Sequence, residues 1–156
     1  MPKLKIGILG ASRGMDFAER MLLDYEYAEV TAVCETYPVL LEKCREFFRE
    51  HHKDVYCCDS FDDMLDAGID AVIIANYANE HAPFAIAAME AGKHVISEVL
   101  PAQNLSQAVA LIECVERTGK KYCYAENYCF MNGPREMRRR YRAGDIGEIE
   151  YAEGEY

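Results

Sequence analysis

The chain has 156 residues, 51% of them hydrophobic and 28% charged. That is globular composition, long enough for one well-buried core and too short for two full-sized domains. A formal charge of −10 repels phosphate backbones and anionic lipid, which argues against nucleic-acid and membrane-surface partners.

"LKIGIL" (4–9) is a short apolar run that stops at Gly10, and a helix is expected from about Met15 to Tyr25. The lysines at 3 and 5 lead into too few apolar residues for a signal peptide, and no run reaches transmembrane length. "EVTAVC" (29–34) is rich in β-branched residues and reads as a second strand. Residues 38–51 carry Val39, Leu40, Cys44, Phe47 and Phe48 at helical spacing. "DVYCC" (54–58) is a short third strand, and Ser60 with Asp63 forms a capping-box pattern before the helix "FDDMLDA". "DAVIIA" (70–75) is an unbroken apolar run of the kind covered on both faces by helices. A helix then runs to Glu90 and closes at Ala91-Gly92, where glycine tolerates a left-handed cap. "HVISE" (94–98), a helix over 106–117 closed by Gly119, the strand "KYCYAE" (121–126) and the helix "PREMRRRYRAG" complete the series.

Six strands alternating with helices over short connections predict an α/β fold, a Rossmann-type doubly wound parallel sheet. Ligands of such sheets sit beyond the carboxyl ends of the strands. The informative residues are therefore those at Gly10–Gly14, Glu35, Asn76–His81, Glu98–Pro101 and Glu126–Tyr128. The tail "EIEY" (148–151) alternates polar and apolar as a half-exposed strand does. It reads as the first strand of a second α/β domain otherwise absent, so the chain is expected to be a piece of a larger protein. The division is residues 1–126, a dinucleotide-binding domain, and 127–156, an interdomain helix with that strand.

Seven cysteines, an odd number with no C-x-x-C spacing, predict reduced thiols in a cytoplasmic protein rather than a disulfide framework, and no metal site. The vicinal pair Cys57-Cys58 is expected to pack. The arginine run "REMRRRYR" (135–142) in an acidic protein reads as a solvated helix face or an interdomain contact.

A dinucleotide site needs a strand, a turn tight enough for backbone to approach a pyrophosphate, and a helix whose first amides point at it. "GILGASRGMD" (7–16) offers Gly10 for the turn and Gly14 at the expected helix start. Ala11 lies between them, Ser12 could donate its hydroxyl to a phosphate oxygen, and Arg13 could add a charge. The fingerprint G-x-G-x-x-G is imperfect, because Ser12 and Met15 occupy two glycine positions. Glu35, at the end of the second strand, is where a carboxylate accepts hydrogen bonds from the adenosine ribose and repels a 2′-phosphate, favouring NAD over NADP. "GASRG" also resembles the turn of short-chain dehydrogenases, but no tyrosine has the lysine four residues on that their chemistry uses.

"DAVIIANYANEHAPFAIAAMEAGKHVISEVLPAQNLSQA" (70–108), with "KIGILGA" before it and "AGDIGEIEY" after it, resembles the glucose–fructose oxidoreductase/inositol dehydrogenase (Gfo/Idh/MocA) family over essentially the whole chain. The resemblance implies a Rossmann domain followed by an α/β substrate domain, NAD as cofactor, a small sugar or polyol substrate, and a homo-oligomer at full length. The family's T-P-x-x-x-H loop, which lies against the cofactor, meets this chain as "NYANEH". Asn76 and Tyr77 replace its first two positions and His81 matches, with capping of the helix start as an equal alternative for His81. Glu98 matches the glutamate of the family's E-K-P motif near the nicotinamide ribose. Asn127 falls where the family often carries an asparagine near nicotinamide and substrate. The lysine of E-K-P, which helps bind substrate and shuttle its proton, is Val99 here, and valine can do neither.

The resemblance implies an NAD(P)-dependent oxidoreductase acting on CH–OH groups, with its general base outside this chain. This chain alone is expected to be inactive. Glycosidases related to the family, which use bound NAD for transient oxidation, carry a similar E-V-P-A variant, so a glycosidase or lyase is a second expectation. A non-catalytic dinucleotide-binding module is a third.

Overall fold

The structure, a computed structural model, describes residues 2–154. Contacts divide the chain into two compact units, Met1–Ala125 and Glu126–Tyr156.

In the first unit β1 (Leu4–Leu9) ends at Gly10, and α1 (Ala11–Phe17) begins directly behind it, continuing through a π-helical turn at Ala18–Leu22. The expected start near Met15 is thus four residues late. Gly10 has φ 91°, a conformation that costs glycine little and lets the chain reverse in one residue. Gly14, which looked like a helix boundary, lies inside α1. A Cβ there would stand 2.4 Å from Ile8 Cγ2 and 3.6 Å from the Ala75 side chain. The glycine serves helix-on-strand packing rather than a turn.

The remaining elements follow the expected order: β2 (Ala28–Cys34), α2 (Pro38–Glu50), β3 (Tyr56–Cys58), α3 (Phe61–Asp66), β4 (Ala71–Ile74), a 3-10 turn (Ala78–Glu80), α4 (His81–Glu90), β5 (His94–Ser97), α5 (Leu105–Thr118) and β6 (Tyr122–Tyr124). Their ends are chemically marked. Pro38 opens α2, where its missing N–H would have had no helical partner. The Asp63 N–H donates to Ser60 Oγ at 3.3 Å before α3. Asn104 Oδ1 accepts from the Gln107 N–H at 2.9 Å, and Gly119 closes α5 with φ 64°.

The sheet runs in the order β3-β2-β1-β4-β5-β6 with every pair parallel. Register sets Ile8 beside Val33 and Ile73, and these three pack under α1 and α2 with Cys44 and Phe48. Their neighbours Leu9, Cys34 and Ile74 point to the other face, into a core with Met64, Ala85 and Leu111. Covering both faces explains why β4 reads as an unbroken apolar run. Among the described residues no helix is long and apolar enough to cross a membrane.

Period-two alternation also separates the vicinal cysteines, since successive strand residues face opposite sides. Cys58 joins one core and Cys57 packs against the other. All seven cysteines are free thiols. Burial pushes the Cys34 and Cys44 thiols up to about 12.

The second unit contains a 3-10 turn (Tyr128–Phe130) and α6 (Asn132–Ala143), closed by Gly144 at φ 78°. Two arginines of the run pair within the helix: Arg139 donates twice to the Glu136 carboxylate, at 2.7 and 2.8 Å, and Arg140 once at 2.8 Å. Arg139 first, then Arg140, holds the Glu136 carboxyl below its ordinary range. Every described side chain of α6 is exposed, as a solvated face requires. Residues 148–151 form no strand, unlike the sequence expectation. Alternation marks a segment able to pair, and no described strand pairs with it.

Two outcomes follow from this packing. Gly14→Ala should cost about 1–3 kcal/mol of stability by urea unfolding, the cost typical of overpacking a tight contact. Folded-state thiol values above the unfolded value mean that the unfolded chain loses protons first as pH rises. Stability should therefore fall from about pH 9 towards pH 12, read as a falling denaturation midpoint, and Cys34→Ala with Cys44→Ala should flatten that slope.

Candidate dinucleotide site

The ladder continues one residue past each central strand and lines up the residues that follow. The Gly10 N–H donates to the Cys34 carbonyl at 2.9 Å, Ala75 N–H to the Leu9 carbonyl at 2.8 Å, and Glu98 N–H to the Ile74 carbonyl at 2.9 Å. Gly10, Glu35, Ala75 and Glu98 thus stand side by side at the carboxyl edge, with Asn76 one residue beyond Ala75. Between β1 and β4 the strand order reverses, and at such switch points the helices depart to opposite faces and leave a crevice. Here it is a cleft of about 460 Å³ that includes Gly10, Ser12, Arg13, Glu35, Asn76 and Tyr77 in its lining.

The cleft floor depends on Gly10 having no side chain. A Cβ there would lie 2.6 Å from the Asn76 nitrogen and 2.7 Å from the Ala75 carbonyl oxygen. Glu35 is fixed from two sides. The Ala11 N–H donates to its Oε2 and the Tyr37 N–H to its Oε1, both at 2.8 Å. A carboxylate has about four acceptor positions, so each oxygen keeps capacity for a further donor.

Asn76 is equally constrained. Its Nδ2 donates to the Glu80 carboxylate at 2.8 Å, which fixes the amide orientation. Its Oδ1 is buried and has no partner in the described structure. An orphaned buried acceptor in a cleft wall is uncommon and calls for an explanation.

Arg13 extends from α1 across to the end of β5. Its Nε donates to Glu98 Oε1 at 3.2 Å, and its Nη1 to Asp16 Oδ2 at 2.8 Å. Glu98, first of all, raises the affinity of this guanidinium for its proton. Glu98 Oε2 also accepts from the Val99 N–H at 3.3 Å.

His81 does not line the cleft. It is 1% exposed, with Nδ1 at 2.9 Å from the carbonyl oxygens of both Glu98 and Leu100 and Nε2 at 3.2 Å from that of Asn76. Carbonyls only accept, so the Nδ1–H tautomer satisfies the two shorter contacts. The ring ties the 98–100 segment to the loop before α4. Of the alternatives read from sequence, neither is the observed one: His81 neither faces the cleft nor caps α4 with its side chain. Tyr77 is 79% exposed. Asn127 is an exposed residue of the second unit, directly before the 3-10 turn there.

Sequence reasoning missed Thr36, Tyr37, Leu40 and Phe84, which also line the cleft, as does Glu80 within the expected 76–81 segment. Tyr37 and Leu40 were findable, because Pro38 marks the start of α2 and places both at a helix N-terminus beside Glu35. Phe84 carries no such local signal.

A profile of the oxidoreductase family with an NAD-binding Rossmann fold, GFO_IDH_MocA, matches residues 4–126. The chain belongs to the Gfo/Idh/MocA family. Its NAD-binding Rossmann fold gives the cleft its cofactor, and the glycine cradle, the fixed Glu35 carboxylate and the open Asn76 acceptor fit that cofactor. Two glycosyl hydrolase family 109 proteins of Shewanella, one from Shewanella amazonensis, are 27% and 29% identical over the whole of this chain. Among solved structures, scyllo-inositol dehydrogenase from Lactobacillus casei with bound NAD(H) and scyllo-inositol is 26% identical with a TM-score of 0.82 over 95% of this chain. The WlbA dehydrogenase from Bordetella pertussis, in complex with NADH and UDP-GlcNAcA, is 22% identical at a TM-score of 0.84 and shares the fold. This Gfo/Idh/MocA chain spans 36% and 35% of the two hydrolases' length and 43% of the inositol dehydrogenase.

His81→Ala should remove the buried donor to the Glu98 and Leu100 carbonyls and destabilise the chain by about 1–3 kcal/mol, read by thermal unfolding. Protease sensitivity should rise at residues 98–101.

Proposed function

We propose that this chain is the cofactor-binding half of an NAD-dependent oxidoreductase that oxidises a CH–OH group of a sugar- or polyol-like substrate. The carrying observation is that Gly10, Glu35 and Glu98 align at one carboxyl edge, with Asn76 one residue past that row and Glu35 held by two amides. The likeness to an inositol dehydrogenase solved with NAD(H) and scyllo-inositol supports the substrate class.

In this reading the first turn of α1 receives the pyrophosphate. The Ala11 amide is committed to Glu35 and the Gly14 amide to the Gly10 carbonyl at 3.1 Å. The amides of Ser12 and Arg13 are the donors left in that turn, with the Ser12 hydroxyl and Arg13 guanidinium beside them. Glu35 accepts from the adenosine ribose hydroxyls and repels a 2′-phosphate, which selects NAD over NADP. Asn76 Oδ1 gains the donor it lacks. Glu98 and Tyr77 serve the nicotinamide end, and His81 acts through the segment it pins. When bound, NAD would supply hydride acceptance at the nicotinamide C4.

Val99 is 40% exposed and moves no proton, so the general base belongs to another segment, in a second α/β domain of a longer, homo-oligomeric polypeptide. One specific observation favours a second reading. Valine at the lysine position, together with the family 109 hydrolase relatives, fits a glycosidase that retains NAD and oxidises its substrate transiently. Stoichiometric NAD surviving purification, with no net NADH on turnover, selects that reading over a dehydrogenase.

Calorimetric titration decides the cofactor assignment. NAD should bind more tightly than NADP, and Glu35→Ala should weaken NAD by about 1–3 kcal/mol while narrowing the difference between the two. Absence of heat with both dinucleotides, from folded protein, removes the reading; tighter binding of NADP overturns the role of Glu35.

A further inference from the structure

Among the described residues, Arg13 is the one Arg or Lys in the cleft wall, and its donors are divided between two carboxylates. Nε is engaged by Glu98 and Nη1 by Asp16. A guanidinium grips phosphate through a pair of adjacent N–H groups, either Nε with Nη2 or Nη1 with Nη2. Each of those forks is half used here, so a two-pronged grip on phosphate requires one carboxylate to leave. Asp16 is three residues away on the same helix, at 2.8 Å, whereas Glu98 lies across the cleft mouth at 3.2 Å. The longer, non-local contact is the easier one to exchange.

We infer that Arg13 is a positioning residue that exchanges partners: the dinucleotide's pyrophosphate takes the Nε–Nη2 fork from Glu98, and Glu98 is thereby released towards the nicotinamide end. This inference rests on the NAD reading of the cleft and adds to it a coupling between two subsites. The exchange makes Arg13 a discriminator for ligands that carry a pyrophosphate. Glu98, with a side chain only 12% exposed, would otherwise remain engaged by Arg13 and Val99 N–H. Recognition of the phosphates then prepares the carboxylate beside the reacting end of the cofactor.

A double-mutant cycle on the intact chain tests this, with ADP-ribose and AMP as calorimetric probes and thermal unfolding as a control for folding. ADP-ribose carries the pyrophosphate without nicotinamide, and AMP lacks the pyrophosphate. Glu98→Gln, an isosteric change that removes the competitor, should tighten ADP-ribose severalfold and leave AMP unchanged. Arg13→Ala should weaken ADP-ribose roughly tenfold, again sparing AMP, and Arg13→Lys should recover only part of the loss. In the Arg13→Ala background the benefit of Glu98→Gln should shrink towards none. An equal benefit in both backgrounds reduces Glu98 to simple charge repulsion and overturns the exchange. Equal loss of ADP-ribose and AMP assigns Arg13 a structural role and also overturns it. Failure of the unsubstituted chain to bind NAD defeats the cofactor reading itself, a separate outcome.

Discussion

Everything at the carboxyl edge depends on one steric constraint: backbone must touch backbone where β1 turns into α1. Gly10 lies against the Ala75–Asn76 peptide at a distance that no Cβ survives. Four residues on, Gly14 lets the helix rest on Ile8. Between them these two absences of side chain fix the helix axis relative to β1 and β4. That geometry brings the Ala11 amide within reach of Glu35 and sets Ser12 and Arg13 in the cleft lining. The site's electrostatics therefore follow from its packing. A helix standing farther off would lose the carboxylate contact and the crevice together.

The same constraint explains why an incomplete glycine fingerprint still describes a working turn. The third glycine of G-x-G-x-x-G relieves helix–strand contact. In this chain α1 begins immediately after Gly10, so the contact falls on Gly14 instead of position 15. Met15 is half-buried and packs against the core on the α1 side, without standing between helix and strand. Sequence spacing alone cannot show this, because the helix phase depends on which residue starts the helix.

Much of the architecture was legible because its causes are local. Unbroken apolar runs, Ser60, Gly92 and Gly119 each mark an element or its end through chemistry within a few residues. Glu35 was legible for a different reason, as the residue ending a strand beside the glycine turn. What escaped was non-local. The Arg13–Glu98 contact joins residues 85 apart in sequence, and His81 reaches carbonyls 17 and 19 residues away. A motif match put His81 near the cofactor, yet its burial makes it an anchor for the strand-exit segment. The tail at 148–151 shows the converse case. Its alternation reports a capacity to pair, and strand formation requires a partner that local pattern does not supply.

Val99 links this architecture to its chemistry. Glu98 is held on both sides, by Arg13 and by the Val99 N–H, and the His81 ring secures its carbonyl from beneath. The segment that follows β5 is therefore organised through backbone and carboxylate contacts that survive replacement of the family's lysine by valine. Organisation of this loop and delivery of a proton are thus separable. The first rests on hydrogen bonds that do not involve the side chain at position 99. The second needs a titratable group, and valine has none.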